Sequence, residues 1–122
     1  MGKGVDSVLN VKSYTFAIRI VKLCQFLQKE RFEYVISKQV LRSGTSIGAS
    51  IRESEFGQSK SDFIHKLSIA LKEANETDYW ISLLYDTEYI DKSLYKSIQA
   101  DCNELISLLA ASIKTLKANL NS

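Results

Sequence analysis

The sequence contains no proline in 122 residues and only five glycines. Proteins rich in β-structure rely on these two residues for their turns, so a chain that lacks them favours long helices joined by few connections. The length fits one ordinary domain and leaves no room for a second core. We therefore expect a single all-α domain over residues 1–122.

Apolar residues recur at three- and four-residue spacing, as in amphipathic helices, in four segments. The predicted helices cover residues 13–29, 34–56, 60–86 and 92–119. Gly57 is predicted to end the second helix in a left-handed conformation, with Ser59 or Ser61 capping the third helix and Asp91 the fourth. Short connections between four helices predict an antiparallel, up-down-up-down four-helix bundle.

Two glycines lie four residues apart in the second predicted helix, at Gly44 and Gly48. Each costs about 1 kcal/mol of helix propensity, so another gain should offset them. We predict that they allow close approach by another helix, of this chain or of a neighbouring copy. A phosphate-binding glycine loop is not indicated, because no strand precedes them and no Gly-Lys-Ser/Thr follows.

The third predicted helix has a second apolar stripe, roughly opposite its core-facing row. One bundle core cannot bury both faces, and an exposed tryptophan with apolar neighbours is typical of a subunit interface. We therefore predict a homo-oligomer. The predicted interface residues are Ile69, Glu76, Tyr79, Trp80 and Leu83.

The formal net charge is only +2, but it is unevenly distributed. Residues 1–61 carry ten Lys/Arg and five Asp/Glu, a net +5, whereas residues 62–122 carry six and nine, a net −3. A basic face attracts an anionic partner even when the total charge is small. The first two helices carry the candidate phosphate contacts Lys12, Arg19, Lys22, Lys29, Lys38, Arg42 and Arg52. Ordinary solvated helix surface is the alternative, since no base-reading motif accompanies them.

No catalytic or metal site is predicted, and no cofactor. Asp62 and His65 have the spacing of a metal-binding pair, but a di-iron bundle needs two Glu-x-x-His pairs and the chain has one histidine. Cys24 and Cys102 fall on core positions and have no histidine base beside them. A polar network that fixes helix register is predicted instead, from Ser46, Ser50, Glu53, Lys72, Glu73 and Asn75.

The sequence also indicates where the protein works. No window approaches the roughly 20 uncharged apolar residues of a membrane span. The segment that follows Met1 lacks the apolar run of a secretory signal. We expect a soluble cytoplasmic protein with no membrane partner.

Three segments, Ser46–Glu53, Gln58–Ile64 and Ser68–Trp80, resemble a known family. They are similar to the four-helix-bundle proteins encoded in intervening sequences of bacterial 23S rRNA genes. The resemblance covers about residues 12–118. It departs at Ser50, where the family often has asparagine, and at residues 52–54, where it often has Ala-Glu-Gly.

The resemblance implies a left-handed antiparallel bundle that assembles into a ring-like homopentamer, with no established enzymatic activity. Relatives include an accessory protein of diversity-generating retroelements, a basic pentameric barrel that binds nucleic acid and a reverse transcriptase. Our hypothesis is a non-enzymatic oligomeric scaffold that binds structured RNA or a ribonucleoprotein through the basic faces of its first two helices. The alternative is a protein–protein interaction module with no nucleic-acid role.

Overall fold

The computed structural model describes the backbone of residues 3–120 and the side chains of residues 8–120. Its four helices are α1 (Lys3–Glu30), α2 (Ile36–Ser54), α3 (Lys60–Asp86) and α4 (Lys92–Leu120), and no strand occurs in the described range. The fold is all-α and has the form of a four-helix bundle. Residues 1, 2, 121 and 122 of the predicted domain lie outside the described residues.

The structure corrects the predicted bounds of the first two helices. α1 begins at Lys3, well before the predicted start at residue 13. Leu9 accounts for the difference, because it is buried in the core two turns before Phe16 and extends the apolar stripe of α1. α2 is shorter than the predicted 34–56, because the carboxylate of Glu33 caps its first turn and the chain begins to turn after Ser54.

Each helix contributes one stripe of buried side chains to a single core. The heptad of α4 is the most regular of these stripes. Its buried members are Ile98, Cys102, Leu105, Leu109 and Ile113. Replacing a buried leucine of this kind by alanine costs about 2–5 kcal/mol, so the core accounts for most of the stability of the fold.

The contacts between helices place α1 and α2 on one side of the bundle and α3 and α4 on the other. α1 packs against α2, α2 against α3 and α3 against α4, and a looser contact joins α4 to α1. Late residues of α1 meet early residues of α2: the thiol of Cys24 donates to the carbonyl of Ser37 at 3.2 Å. At the other end, Asn10 donates to the carboxylate of Glu55. The basic half of the chain, α1 and α2, therefore lies beside the acidic half, α3 and α4.

The glycines of α2 lie against α1, which confirms the predicted close approach. A Cβ on Gly44 would lie 2.9 Å from both Cγ atoms of Ile20, and one on Gly48 would lie 3.3 Å from Oγ of Ser13. Gly57 does not adopt the predicted left-handed conformation, because α2 ends at Ser54 and Gly57 follows two residues of the turn. Its N–H donates to the carbonyl of Ser54 at 3.1 Å.

The capping predictions for α3 and α4 are confirmed. Oγ of Ser59 accepts a hydrogen bond from the N–H of Asp62 at 3.0 Å. Oδ1 of Asp91 accepts one from the N–H of Leu94 at 2.8 Å. These side chains satisfy backbone donors that the first helical turn leaves without partners.

Candidate nucleic-acid interface

Two of the seven predicted basic residues lie at the seam between α1 and α4. Nζ of Lys12 is 3.0 Å from Oε1 of Glu104, and Nη1 of Arg19 is 2.8 Å from Oδ2 of Asp101. Both pairs are partly exposed and join helices from the two halves of the sequence. Their cations are therefore already matched by carboxylates.

A third predicted cation, Arg42, lies at the seam between α2 and α3. Its guanidinium is 3.4 Å from Oε2 of Glu73 and also donates to Glu76. The indole N–H of Trp80 donates to the same carboxylate at 2.9 Å. The hydrogen bond from Trp80 lowers the pKa of Glu76 below its ordinary value, and the hydrogen bond and positive charge of Arg42 lower it further. Together they outweigh partial desolvation, which raises this pKa. Arg42 is thus a seam residue.

The other four predicted cations lie on the outer surface of α1 and α2: Lys22, Lys29, Lys38 and Arg52. All four are exposed, and within residues 8–120 none forms a salt bridge with a carboxylate. The structure thus divides the predicted set into three paired cations at the seams and four that face solvent. Only the second group is available to phosphates without breaking an existing ion pair.

One of these cations lines a surface depression between the end of α1 and the start of α2. The depression measures about 500 Å³ and is lined by Gln25, Gln28, Lys29 and Tyr34. We call it the Tyr34 depression. Tyr34 was not among the predicted site residues, because it was assigned only to the start of the second predicted helix, residues 34–56. The available signal was the aromatic pair Phe32 and Tyr34 among basic residues.

The connection that carries Tyr34 is held by the buried carboxylate of Glu33. Its oxygens accept hydrogen bonds from the backbone N–H groups of Val35 at 3.1 Å, Ile36 at 3.0 Å and Ser37 at 2.7 Å. Burial alone raises the pKa of Glu33, but these hydrogen bonds outweigh it and the pKa lies below its ordinary value. Glu33 therefore remains charged at neutral pH and fixes the start of α2.

The same connection is tied to the one between α3 and α4. The guanidinium of Arg31 donates to the carbonyls of Glu88 at 2.7 Å and Tyr89 at 3.2 Å. Next to it, Phe32 adopts a left-handed φ of 54° and is 75% exposed. The backbone here is well anchored, while its aromatic side chains face solvent.

The six residues of the predicted polar network make different contacts from those expected. Within the described range, no hydrogen bond joins two members of the set. Ser46 and Asn75 bond to carbonyls of their own helices, at Arg42 and Leu71. Ser50 is buried, Lys72 is exposed, Glu53 pairs with Lys66 at 3.5 Å, and Glu73 pairs with Arg42.

A different pair provides the buried polar contact between helices. The hydroxyl of Thr77 on α3 lies 2.9 Å from that of Ser43 on α2, and both residues are fully buried. Sequence analysis missed this pair, because a threonine or serine within an apolar stripe looks like a neutral core position until the facing helix is known.

The predicted oligomer surface on α3 is only partly exposed. Tyr79 is 60% exposed, whereas Ile69, Glu76, Trp80 and Leu83 are half-buried. Trp80 packs against the core, which corrects the expectation that it is exposed. Its large ring reaches back from the flank of α3 toward the bundle.

A more exposed apolar stripe lies on α1, where none was predicted. Val11, Tyr14, Ile18 and Val21 follow one another at three- and four-residue spacing and are between 39% and 64% exposed. We call this set the α1 stripe. The sequence contains the signal, but the prediction assigned apolar residues of α1 only to the core.

The two cysteines are confirmed as buried free thiols. Burial, with a contribution from Glu33, raises the pKa of Cys24 to about 11. Burial, with contributions from Asp78 and Asp101, raises the pKa of Cys102 to about 12. Both thiols are protonated at neutral pH and are poor nucleophiles.

Within the described residues, no group of three or more histidine, cysteine, aspartate or glutamate side chains is arranged to hold a metal ion. None of the helices within residues 3–120 combines the length and the apolar character needed to cross a bilayer.

Four helices around one core, with paired charges at the seams between helices, define an all-α protein of the four-helix-bundle class. The sequence pattern of the 23S rRNA-intervening sequence proteins matches residues 6–111, and the chain belongs to that family. This confirms the resemblance, and no enzymatic family is indicated.

Among solved structures, the chain is similar to a protein of unknown function from the S23 ribosomal protein family of Bacteroides thetaiotaomicron. The identity is 58%, the match covers 90% of this chain and 98% of that one, and the TM-score is 0.89. None of the curated proteins compared with the chain matches it.

Proposed function

We propose that the protein is a non-enzymatic helical scaffold that binds structured RNA or a ribonucleoprotein through the outer surface of α1 and α2. The observation that carries this proposal is the set of four exposed cations without carboxylate partners in the described range: Lys22, Lys29, Lys38 and Arg52. They belong to the half of the sequence with a net charge of +5. Such a surface binds phosphates by releasing their counterions.

A salt series of RNA binding tests the proposal. We expect the logarithm of the binding constant of the wild-type protein for rRNA fragments to fall linearly with the logarithm of salt concentration, with a slope of roughly −0.7 to −0.9 per phosphate contact. Replacing the four cations with glutamine together should reduce the slope by about 3 and weaken binding at all salt concentrations.

The matched control removes the same amount of charge from α4. Its four lysines, Lys92, Lys96, Lys114 and Lys117, are also exposed. Their glutamine variants should retain the wild-type slope. No RNA binding at low salt, or equal losses in the two quadruple variants, contradicts the proposal. A partner that still co-purifies from lysate after nuclease treatment, without RNA binding, would identify a protein-interaction module instead.

We further propose a left-handed, antiparallel up-down-up-down arrangement and assembly into a ring-like homo-oligomer, a pentamer by family resemblance. Contacts that join late residues of α1 to early residues of α2, such as Cys24 with Ser37, support opposite helix directions. The buried free thiols are consistent with a cytoplasmic location.

For the ring, we propose that the α1 stripe of one copy packs on the outer face of α3 in the next, where Tyr79 is most exposed. In this arrangement Lys22 lies at the edge of the contact, and Lys29, Lys38 and Arg52 remain outside it for RNA. A contact between two different surfaces closes into a ring when its rotation permits. The charges favour such a contact, because the half that contains α1 is basic and the half that contains α3 is acidic.

A further inference from the structure

We infer that the Tyr34 depression binds an unpaired nucleotide of a single-stranded RNA segment, with the base stacked on Tyr34 and a phosphate held by Lys29. This inference rests on the proposed function and narrows it from structured RNA as a whole to the unpaired segments of such RNA. Of the four residues that line the depression, only Lys29 is among the predicted phosphate contacts.

The depression is a broad, open surface feature and not an enclosed cavity. It offers about 500 Å³ of space above four side chains, which is room for one nucleotide lying on the surface. It is open at the surface between two helices, so a nucleotide can enter while the rest of its strand remains outside.

The lining side chains match the parts of a nucleotide. Tyr34 is 50% exposed and offers a ring on which any base can stack. Lys29 is an exposed ammonium without a carboxylate partner in the described part of the chain. Gln25 and Gln28 carry amides that both donate and accept, as the edges of bases do. The side-chain N–H of Gln28 donates to Oγ of Ser37 at 3.3 Å, which orients this amide.

The segment that presents Tyr34 is already ordered without a ligand. Glu33 accepts three backbone hydrogen bonds immediately beside it, and Arg31 ties the preceding turn to two carbonyls of the next connection. Because the backbone that carries Tyr34 is already ordered, less conformational entropy is lost when a base stacks on its ring.

The charge of residues 22–38 favours an anionic ligand, and it is opposed by the exposed carboxylate of Glu88 in the connection that Arg31 contacts. Residues 22–38 contain four cations, at Lys22, Lys29, Arg31 and Lys38, and two carboxylates, at Glu30 and Glu33. The charge of Glu33 is directed into backbone N–H groups, which leaves Glu30 as the only exposed carboxylate in this segment. A base inside an A-form duplex is already stacked and cannot reach Tyr34, so the site requires unpaired RNA.

Fluorescence anisotropy with two labelled RNAs tests the inference. One is a single-stranded oligouridine of about 12 nucleotides, and the other is a hairpin stem with the same number of phosphates. We expect Tyr34→Ala to weaken binding of the oligouridine by about tenfold or more at an unchanged salt slope, because stacking releases no counterions. Lys29→Gln should instead reduce the slope by about 0.7.

Three variants serve as controls. Tyr34→Phe keeps the ring and should bind within about twofold of wild type, whereas Tyr34→Leu keeps apolar bulk without a ring and should behave like Tyr34→Ala. Phe56→Ala removes another aromatic side chain, which is 79% exposed, and should leave binding unchanged. Matching thermal melts establish that every variant folds.

The outcomes separate this inference from the proposed function. If RNA binding persists and Tyr34→Ala and Tyr34→Leu both bind oligouridine like wild type, the nucleotide site is wrong while the RNA-binding surface stands. If wild type binds neither RNA at low salt, both fail. Binding of an acidic peptide that depends on Tyr34, without RNA binding, also overturns both.

Discussion

The outer faces of α1 and α3 both carry apolar stripes, but the fold itself uses them differently. On α3, Trp80 packs against the core and donates to Glu76, so this part of the stripe is structural. On α1, the four residues of the α1 stripe are between 39% and 64% exposed. A second apolar stripe on a helix can therefore extend the core or form a surface for another molecule. The size of its side chains and the residues they contact determine which of the two occurs.

The largest expected effect is loss of assembly when either face receives a charge. Ile18→Glu on α1 and Tyr79→Glu on α3 should each reduce the ring to monomers near 13.8 kDa in light scattering. Each variant retains one of the two proposed contact surfaces. An equimolar mixture should therefore form a dimer of the two variants and no ring.

Two other outcomes of this experiment would contradict a contact between the α1 stripe and α3. If Tyr79→Glu alone still forms dimers, α1 pairs with α1 and the contact is symmetric. If wild type is itself a monomer, neither face is an interface. Glu104→Gln, which changes a charge at the α1–α4 seam, is the control and should leave the assembly unchanged.

The next largest effect is on the free energy of unfolding, which should fall for a substitution in the apolar stripe of α3 and hardly change for one in the α1 stripe. Trp80→Ala should lower the free energy of unfolding by about 2 kcal/mol, less than the roughly 3–5 kcal/mol of a fully buried tryptophan because Trp80 is half-buried. Ile18→Ala should change it by no more than about 0.5 kcal/mol. Urea denaturation, at a protein concentration where both variants are monomeric, measures the two free energies of unfolding. Equal losses of free energy in the two variants would mean that the α1 stripe is also part of the folded core.

A smaller change in stability is expected from substitutions at the contact between α1 and α2. This contact lies on the inner face of α1, away from the α1 stripe. In Gly44→Ala the new methyl group meets the stiff, fully buried side chain of Ile20 at 2.9 Å. Overpacking of about 1–3 kcal/mol exceeds the helix-propensity gain of about 1 kcal/mol, so we expect a net loss of about 1 kcal/mol. Gly48→Ala, with 3.3 Å to Ser13, should stay within about 0.5 kcal/mol of wild type in the same urea titration. A stabilised Gly44→Ala would show that the two helices can separate slightly.

Local signals in the sequence predicted most of the fold. α3 and α4 combine clear apolar stripes with capping side chains at Ser59 and Asp91, so both their course and their starts follow from short-range rules. The start of α1 was missed because Leu9 stands apart from the main apolar stripe of that helix.

The site was less predictable, because it depends on which helices are neighbours. Spacing along α1 and α2 identifies basic residues but cannot show that Arg19 and Arg42 face carboxylates on other helices. It also cannot show that Tyr34 of a short connection lies beside Lys29 of α1. These relations arise only when the bundle closes.

The smallest effect we predict concerns the connection that joins α1 to α2 and presents Tyr34. The folded-state pKa of Glu33 lies below its ordinary value, so its contribution to stability is fully present above the unfolded pKa of about 4.3 and is lost as the pH falls through the folded value. Glu33→Gln retains one acceptor oxygen but removes the charge at the start of α2, and should cost about 0.5–1 kcal/mol at neutral pH. Denaturant titrations at several pH values should show this difference shrinking as the wild-type carboxylate becomes protonated in acid. A difference independent of pH would mean that the shape of the side chain, not its charge, holds the connection in place.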